Sequence, residues 1–262
     1  MAKAKQQPDN QPEAPELTLR EKVISEVKFF LGLGSIMLAF LTLVWGHFKI
    51  PSESMQPTLE VGDHLYVSKY AYGYSRHSLP FGLHKLPLPE GKIFARLPER
   101  GDIAVFRKPN LDDPLVMIKR VVGLPGDRVK TVQGQLYIND VLVPRTQIDN
   151  RFYRDHKSKI VVRVDVYQQT LPGADEVFTI YEVNDRRPLD NAPMRVVPPG
   201  HVFFMGDNRD NSLDSRDPLL GPGLVPVENL MGRADRMMFS FKRCNRNEDL
   251  HCPDRGRFME KL

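Results

Sequence analysis

Between a long apolar segment and a β-rich region stands the sequence Ile50-Pro51-Ser52-Glu53-Ser54-Met55-Gln56-Pro57-Thr58-Leu59. Each proline restricts its own φ angle and pushes the preceding residue toward an extended conformation, so this backbone is held stiff. Ser52 and Ser54 are two residues apart, and in an extended segment both hydroxyls point to the same side. One serine could attack a carbonyl while the other donates a hydrogen bond to the oxyanion. On these residues alone, a Ser/Pro-rich linker is an equally good interpretation.

The segment before this stretch is long and apolar enough to cross a membrane. Residues 29–48 contain no Asp, Glu, Lys or Arg, and a helix of that length, at about 1.5 Å per residue, spans a hydrocarbon core of roughly 30 Å. Thr18 and Glu21 predict a capping box, so we expect a helix over 18–48 that includes a transmembrane anchor at 29–48. A cleavable signal peptide is the alternative, but it would have a shorter apolar core and a small-x-small site, which residues 39–51 lack.

Basic residues predict how the chain crosses the membrane. Only Lys49 follows the apolar segment closely, whereas several basic residues precede it. The positive-inside rule therefore places the N-terminus in the cytoplasm and the rest of the chain outside it. Residues 1–17 are polar and rich in Gln, Pro and Lys, which is typical of a disordered tail. The preceding basic residues are Lys3, Lys5, Arg20, Lys22 and Lys28.

Composition argues against several classes of protein. The 262 residues include 37 basic and 33 acidic side chains, a net charge of +4. They show no basic stripe with interleaved aromatic residues, so we predict no nucleic-acid partner. Cys244 and Cys252 lack a C-x-x-C spacing and have only His251 nearby, which argues against a four-ligand zinc site. If they face an oxidising compartment, we expect a local disulfide and no thiol that can be alkylated without reductant.

The chain after the anchor is predicted to be mainly β, with no long amphipathic helix. Gly and Pro separate short runs of alternating or β-branched residues, and Gln133-Gly134 and Asn139-Asp140 predict hairpin turns. Residues 70–99 have no clean period and are expected to form an extended loop or hairpin that could rest on the bilayer. Residues 145–199 are more polar and are predicted to be an inserted subdomain. The predicted strands are 64–70, 102–107, 115–122, 135–138, 159–167, 176–182, 201–205 and 237–241.

A lysine lies in one of the predicted apolar strands. In a strand, Lys119 shares a face with Leu115, Met117 and Val121, while Arg120 points to the opposite face. Burial disfavours the ammonium form and lowers the pKa of a lysine, so a neutral amine becomes available to take a proton from a serine hydroxyl. An edge-strand lysine that blocks aggregation is the alternative explanation.

A second polar stretch, residues 206–216, follows the predicted strand at 201–205. It is dense in Gly, Asp, Asn and Ser, and Asp214 and Arg216 could form a fixed ion pair within it. A solvated, charge-rich turn would have the same composition. The EF-hand spacing with its closing Glu is absent, which argues against a calcium loop. His64 beside Asp63 is an alternative base for Ser54, but adjacent strand residues point opposite ways and no G-x-S-x-G elbow surrounds the serine.

Taken together, these stretches resemble type I signal peptidases, the membrane-bound Ser/Lys endopeptidases that remove signal peptides from exported preproteins. Any one of the motifs is weak, but they occur in the order of the family and cover most of the exported region. They are the anchor, residues 51–59, the run Arg100-Gly101-Asp102-Ile103-Ala104-Val105-Phe106, residues 119–127 and residues 206–216.

The resemblance implies a role for each matching position. Ser54 matches the nucleophile and Lys119 the general base. Ser52 matches the serine whose hydroxyl forms the oxyanion hole with the Ser54 backbone amide. Ser212 matches the serine that orients the lysine, with Asp214 and Arg216 supporting its loop. The small apolar pockets for the substrate residues at −1 and −3 are implied at Ile50, Pro51, Met55, Met117 and Ile118.

The resemblance also implies the fold and the setting. We expect a catalytic β domain at 49–144 and 200–262, with a second antiparallel β domain inserted at 145–199. The expected reaction is cleavage after Ala-x-Ala through an acyl-enzyme, without metal or cofactor. The implied location is the bacterial plasma membrane, single-pass, with the catalytic domain outside the cytoplasm. The implied partners are exported preproteins, the bilayer and the secretion translocon, and we expect a monomer.

Two other functions compete with this one. A membrane-tethered module that only binds exported chains would keep the pocket but would not need both Ser54 and Lys119. A Ser/Lys protease of the self-cleaving repressor type resembles the same catalytic core. That class would carry a DNA-binding helical domain where this chain has a polar tail and an anchor.

Overall fold

The computed structural model describes residues 18–79, 85–87, 89–109, 115–240, 250–251 and 257–262. Cys244 and Cys252 lie outside the described residues, so the disulfide hypothesis stays a prediction. The predicted loop at 70–99 is described in part. Within it, the backbones of Tyr74 and Ile93 form an isolated antiparallel bridge.

One helix, α1 (Leu19–Leu43), begins the described chain. Its first turn has the predicted capping box, because Glu21 Oε2 accepts from the Thr18 amide at 2.8 Å and Thr18 Oγ1 accepts from the Glu21 amide at 3.3 Å. None of its side chains is buried, and its length and composition are sufficient to cross a membrane. The helix ends five residues before the predicted limit of 48, because the chain from Trp45 onward pairs as a strand.

The largest sheet has seven antiparallel strands. They are β1 (Trp45–Lys49), β2 (Asp63–Ser68), β3 (Ile103–Arg107), β4 (Val116–Gly123), β12 (His201–Met205), β13 (Val225–Pro226) and β14 (Leu230–Ser240). Their order across the sheet is β1-β2-β14-β3-β4-β12-β13. Strand β4 is therefore held between β3 and β12, and Ala104 lies opposite Lys119 in the register of β3 and β4.

Two smaller sheets use the segment between β4 and β12. One has four strands, β5 (Arg128–Val132), β6 (Gln135–Ile138), β7 (Val141–Leu142) and β11 (Arg195–Val196), in the order β11-β5-β6-β7. The other has three, β8 (Arg145–Arg154), β9 (Val161–Thr170) and β10 (Val177–Glu182), with β9 in the middle. The prediction of a mainly β protein with an apolar N-terminal helix is confirmed.

The predicted hairpin turns are present in the four-stranded sheet. Gln133 and Gly134 join β5 to β6 with φ angles of 49° and 73°. Asn139 and Asp140 join β6 to β7 with φ angles of 53° and 63°. Two-residue turns with positive φ at both positions match the right-handed twist of the flanking strands, and Asn, Asp and Gly tolerate that conformation best.

Each of the eight predicted strands overlaps an observed one, but six observed strands were missed: β1, β5, β7, β8, β11 and β13. Most of strand β1 falls within the predicted anchor at 29–48, because its residues are as poor in charge as the segment before them. Strand β8 is exposed along most of its length, so its sequence lacks the apolar alternation that marks a strand with one buried face. The proposed boundaries of the insertion, 145–199, stay a prediction.

The core fixes the segment that carries the two serines. Ile50, Met55 and Leu59 are buried in an apolar cluster with side chains from β2, β3 and β14. Backbone bonds close the base of this segment, since the Ile50 amide donates to Asp63 O at 2.8 Å and the Gly62 amide donates to Ile50 O at 2.9 Å. The apolar residues thus hold residues 52–59, which we call the serine turn, against the seven-stranded sheet.

Candidate active site

Lys119 and Ser54 meet in the interior of the protein. Lys119 Nζ donates to Ser54 Oγ at 2.5 Å and to the backbone carbonyl of Ile118 at 3.0 Å. Ser54 is 7% exposed and Lys119 is 3% exposed. The residues are 65 positions apart in the chain, and they meet because the serine turn packs beside β4.

Burial determines the protonation of this lysine. It lowers the pKa of Lys119 from 10.5 to about 8, and the carboxylates of Asp214 and Asp207 offset only part of that effect. At pH 7 about a tenth of the molecules then carry a neutral amine, against fewer than one in a thousand for an unperturbed lysine. A neutral amine within hydrogen-bonding distance of a hydroxyl can remove its proton, which is how a serine becomes a nucleophile.

Ser52 is beside Ser54, as the spacing predicted. The two hydroxyl oxygens are 3.4 Å apart, and Ser52 is half-buried. Among the described residues, the Ser54 backbone amide donates to no acceptor. A hydroxyl and a free amide next to a nucleophile are the donor types that stabilise the oxyanion of a tetrahedral intermediate.

The loop after β12 is organised by a buried ion pair. Arg216 Nε and Nη2 each donate to the Asp214 carboxylate at 2.9 Å, and both residues are buried. Asp214 also accepts from the Gly206 amide at 3.0 Å. Burial acts to raise the pKa of Asp214, but Arg216 and these hydrogen bonds outweigh it, so the pKa lies below its usual value. The ion pair considered from the sequence is therefore present.

Ser212 lies in the same region but does not contact the lysine through a hydrogen bond. Its hydroxyl is buried and has no hydrogen-bond partner among the described residues. Ser212 packs closely against the backbone of Gly206. A methyl group at position 206 would overlap the Ser212 side chain and the Ser54 carbonyl, so this packing requires glycine. The role of Ser212 in orienting Lys119 stays a prediction.

A second buried ion pair was not found from the sequence. Arg120 Nε and Nη2 donate to the two oxygens of Asp207 at 2.8 and 2.6 Å, and Thr58 Oγ1 donates to the same carboxylate at 2.5 Å. This pair ties β4, the serine turn and the 206–216 loop together. Alternation in β4 predicted that Arg120 faces away from Lys119, but nothing in the sequence identified a partner 87 residues away.

A cavity of about 670 Å³ lies over Ser54 and Lys119. Its walls include Ser52, Ser212 and three of the residues expected in the substrate pockets, Pro51, Met117 and Ile118. Ile50 and Met55, the other two, do not line this cavity and are buried in the apolar cluster that holds the serine turn. Side chains from the turn between β8 and β9, including His156 and Lys157, complete the wall.

The alternative base His64 lies away from Ser54. His64 stacks on His47 and Phe239, with His47 Nε2 and His64 Nδ1 2.7 Å apart, and it does not line the cavity over Ser54. In the part of the chain that the structure describes, no three His, Cys, Asp or Glu side chains are grouped as metal ligands would be.

The fold and the site define a serine hydrolase in which a buried lysine is beside the serine. The profile of the family described as "Signal peptidase, peptidase S26" matches residues 23–239, and the chain belongs to this family of serine peptidases. The "Signal peptidase I" of Rickettsia typhi is 39% identical over 225 residues, which are 84% of this chain and 81% of that protein. The "Signal peptidase I" of Rickettsia conorii is 40% identical over 214 residues, 79% and 76% of the two chains.

Among solved structures, the chain is similar to a signal peptidase I from Enterococcus faecalis V583, with 26% sequence identity and a TM-score of 0.30. The alignment covers 53% of this chain and 97% of that one.

Proposed function

We propose that the protein is a membrane-anchored serine endopeptidase that removes N-terminal signal peptides from exported preproteins after small residues at −3 and −1. The observation that carries the proposal is the 2.5 Å contact between Lys119 Nζ and Ser54 Oγ inside a buried site. Family membership and relatives named Signal peptidase I support the choice of substrate.

In the proposed first step, neutral Lys119 takes the proton of Ser54 as Oγ attacks the scissile carbonyl. The Ser52 hydroxyl and the Ser54 amide donate to the oxyanion. The lysine ammonium then gives its proton to the leaving amine, which departs as the new N-terminus of the mature protein. An ester between Ser54 and the signal peptide remains.

In the proposed second step, the same amine activates water. Lys119 removes a proton from the water as its oxygen attacks the ester carbonyl, and returns that proton to Ser54 Oγ as the ester breaks. The products are the free signal peptide and the original hydroxyl and amine. We assign the orientation of Lys119 to Ser212, and the support of that loop to Asp214 and Arg216. No metal or cofactor has a part in these steps.

Substrate would bind as an added strand beside β4. Strand β12 pairs with β4 only from Arg120 onward, so the described strands leave that edge of residues 116–119 without a partner. An extended peptide can add to such an edge through its backbone, while pockets select its alternate side chains. Pro51, Met117 and Ile118 line the cavity there and favour small apolar residues. Ile50 and Met55 pack behind them in the apolar cluster.

The proposed location is the plasma membrane of a bacterium. Helix α1 would cross it once, with the N-terminus in the cytoplasm and the β-sheet region outside. The substrates would be preproteins emerging from the secretion translocon, and the enzyme would act as a monomer. We propose no nucleic-acid partner.

Cleavage of a preprotein with an Ala-x-Ala site tests the function. Wild type and Ser54→Ala are purified in detergent, and the N-terminus of the product is sequenced. We expect wild type to cut after the final Ala and Ser54→Ala to leave the preprotein intact. Ser35→Ala is the matched control, since that hydroxyl bonds only within α1, to the Leu31 carbonyl. A wild type that binds the preprotein without cutting it would contradict the proposal and favour a tethered binding module.

A further inference from the structure

Glu53 stands between the two serines, and its side chain points into the protein. It is 8% exposed and lines the cavity with Ser52 and Ser54. Glu53 Oε1 accepts from the backbone amide of His156 at 2.8 Å, and Oε2 lies 3.4 Å from the Asn211 side-chain amide nitrogen. One carboxyl group therefore connects the serine turn to two segments that are 103 and 158 residues away.

His156 belongs to the turn that joins β8 to β9, residues 155–160, which we call the hairpin turn. The Asp155 amide donates to Ile160 O at 2.9 Å, and the Lys159 amide donates back to Asp155 O at 2.9 Å. Asp155 Oδ1 accepts from both the amide and the hydroxyl of Ser158 at 2.6 Å. These bonds fix the conformation of the hairpin turn. Its residues Asp155, His156 and Lys157 line the cavity over Ser54.

The side chain of Asp155 is a second point of contact with Glu53. The pKa of the Asp155 carboxyl lies well below its usual range because the Ser158 side chain, and then the Glu53 side chain, hydrogen-bond to it. A glutamine at position 53 could keep the contacts with the His156 amide and the Asp155 carboxyl, since its oxygen accepts and its NH₂ group donates.

The contact with Asn211 continues to the proposed nucleophile. The Asn211 side-chain nitrogen also lies 3.4 Å from the Tyr153 hydroxyl at the end of β8, and Asn208 donates to the same hydroxyl at 3.3 Å. The Asn208 backbone amide donates to Ser54 O at 3.2 Å. These bonds connect β8, the 206–216 loop and the serine turn, and Glu53 completes the connection at the cavity wall.

We propose that Glu53 is a positioning residue that holds the hairpin turn against the serine turn and so sets the width of the substrate cleft. The inference rests on the proposed function of Ser54 and Lys119. Loss of the Glu53 side chain releases the hairpin turn, and the wider cleft holds substrate less firmly. Lys119 keeps its place because β3 and β4 fix it independently. KM therefore rises while kcat changes little.

Two variants and a control test this role. In Glu53→Ala we expect KM for the Ala-x-Ala preprotein to rise about tenfold or more, as the loss of charge-assisted hydrogen bonds implies, with kcat within about threefold of wild type. Glu53→Gln should stay within about threefold of wild type in both constants, because glutamine keeps an acceptor for the His156 amide. Asp149→Ala is the control, an exposed carboxyl on the same hairpin that contacts Asn150 and Arg151. It should behave as wild type.

Hydrogen exchange measures the release of the hairpin turn without any substrate. Peptides covering 153–160 should exchange faster in Glu53→Ala than in wild type, Glu53→Gln or Asp149→Ala, while peptides from β4 stay unchanged. Equal exchange in all four proteins together with an unchanged KM would overturn the inference. So would a Glu53→Gln variant as impaired as Glu53→Ala. If wild type does not cleave, the proposed function fails, but the exchange comparison still decides whether Glu53 holds the turn.

Discussion

The chemistry of the site depends on the balance between burial and charge around Lys119. Asp214 and Asp207 favour the ammonium form, yet burial outweighs them and brings the pKa to about 8. A charged lysine 2.5 Å from the Ser54 hydroxyl could donate to it but could not take its proton. The neutral form is therefore the one that the proposed mechanism requires, and the fold supplies it by enclosing the amine.

The Ser52 hydroxyl is expected to matter for rate rather than for binding. Its oxygen is 3.4 Å from Ser54 Oγ, where it can donate to the oxyanion that forms only during the reaction. Removing one such donor lowers kcat by about 10²–10³. Ser52→Ala should therefore cleave slowly but measurably, with KM little changed, in a steady-state assay with the same preprotein. A kcat equal to that of wild type would remove Ser52 from the oxyanion hole.

Residue types and spacing predicted the serines and the lysine, but not the network that holds them. Proline-restricted serines and a lysine within an apolar strand are local signals. Glu53 and Arg120 bond to partners 103 and 87 residues away, and no local pattern reports such distances. The resemblance placed Ser212 near the lysine, and the structure adds Gly206 as the residue whose missing side chain makes room for it.

A buried ion pair, and not regular secondary structure, holds the 206–216 loop in place. Asp214 and Arg216 are both buried, so either residue alone would be an uncompensated charge in the interior. Breaking such a pair costs about 3–5 kcal/mol. Asp214→Ala should lower the free energy of unfolding by that amount in urea denaturation of the detergent-solubilised protein, and should also lower activity.

A matched surface pair provides the control for that prediction. Arg128 and Asp140 are 3.2 Å apart, but both side chains are about half exposed. Solvent screens such pairs, whose contribution is about 0–1 kcal/mol. Asp140→Asn removes the charge and keeps a residue suited to the positive φ of this turn, so it should leave the unfolding transition nearly unchanged. Equal losses in Asp214→Ala and Asp140→Asn would contradict the importance of the buried pair.

Strands with a clear apolar run were predicted, whereas exposed and two-residue strands were not. Strand β4 was found within a residue or so of its observed limits because its apolar run is clear. Strand β8 has little burial on either face, and β11 and β13 have two residues each, so periodicity cannot reveal them. The exposed strand β8 nevertheless carries the hairpin turn that forms part of the cleft wall.

We propose that helix α1 anchors the whole molecule in the membrane, while the β-sheet region carries the reaction. Helix α1 is apolar and buries none of its side chains within the protein. A lipid bilayer would remove these apolar side chains from water. Deletion of residues 2–43 should move the protein from the membrane fraction toward the soluble fraction in cell fractionation. A deletion variant found entirely in the membrane pellet would show that the β-sheet region is sufficient for attachment.

The predicted orientation can be tested on the full chain. Basic residues before the anchor predict a cytoplasmic N-terminus. In intact spheroplasts, added protease should digest the β-sheet region and leave an N-terminal epitope tag protected. In inside-out vesicles the pattern should reverse. Protection of the β-sheet region in spheroplasts would contradict both the orientation and access to exported substrates.

The pH dependence of cleavage is the most direct test of Lys119 as the base for Ser54. The neutral amine is the active form, so log(kcat/KM) should rise with a slope near one below pH 8 and level off above the lysine pKa of about 8. Lys119→Ala should give no measurable cleavage at any pH. A rate in wild type that is flat between about pH 6 and pH 10, or substantial cleavage by Lys119→Ala, would contradict the Ser/Lys account.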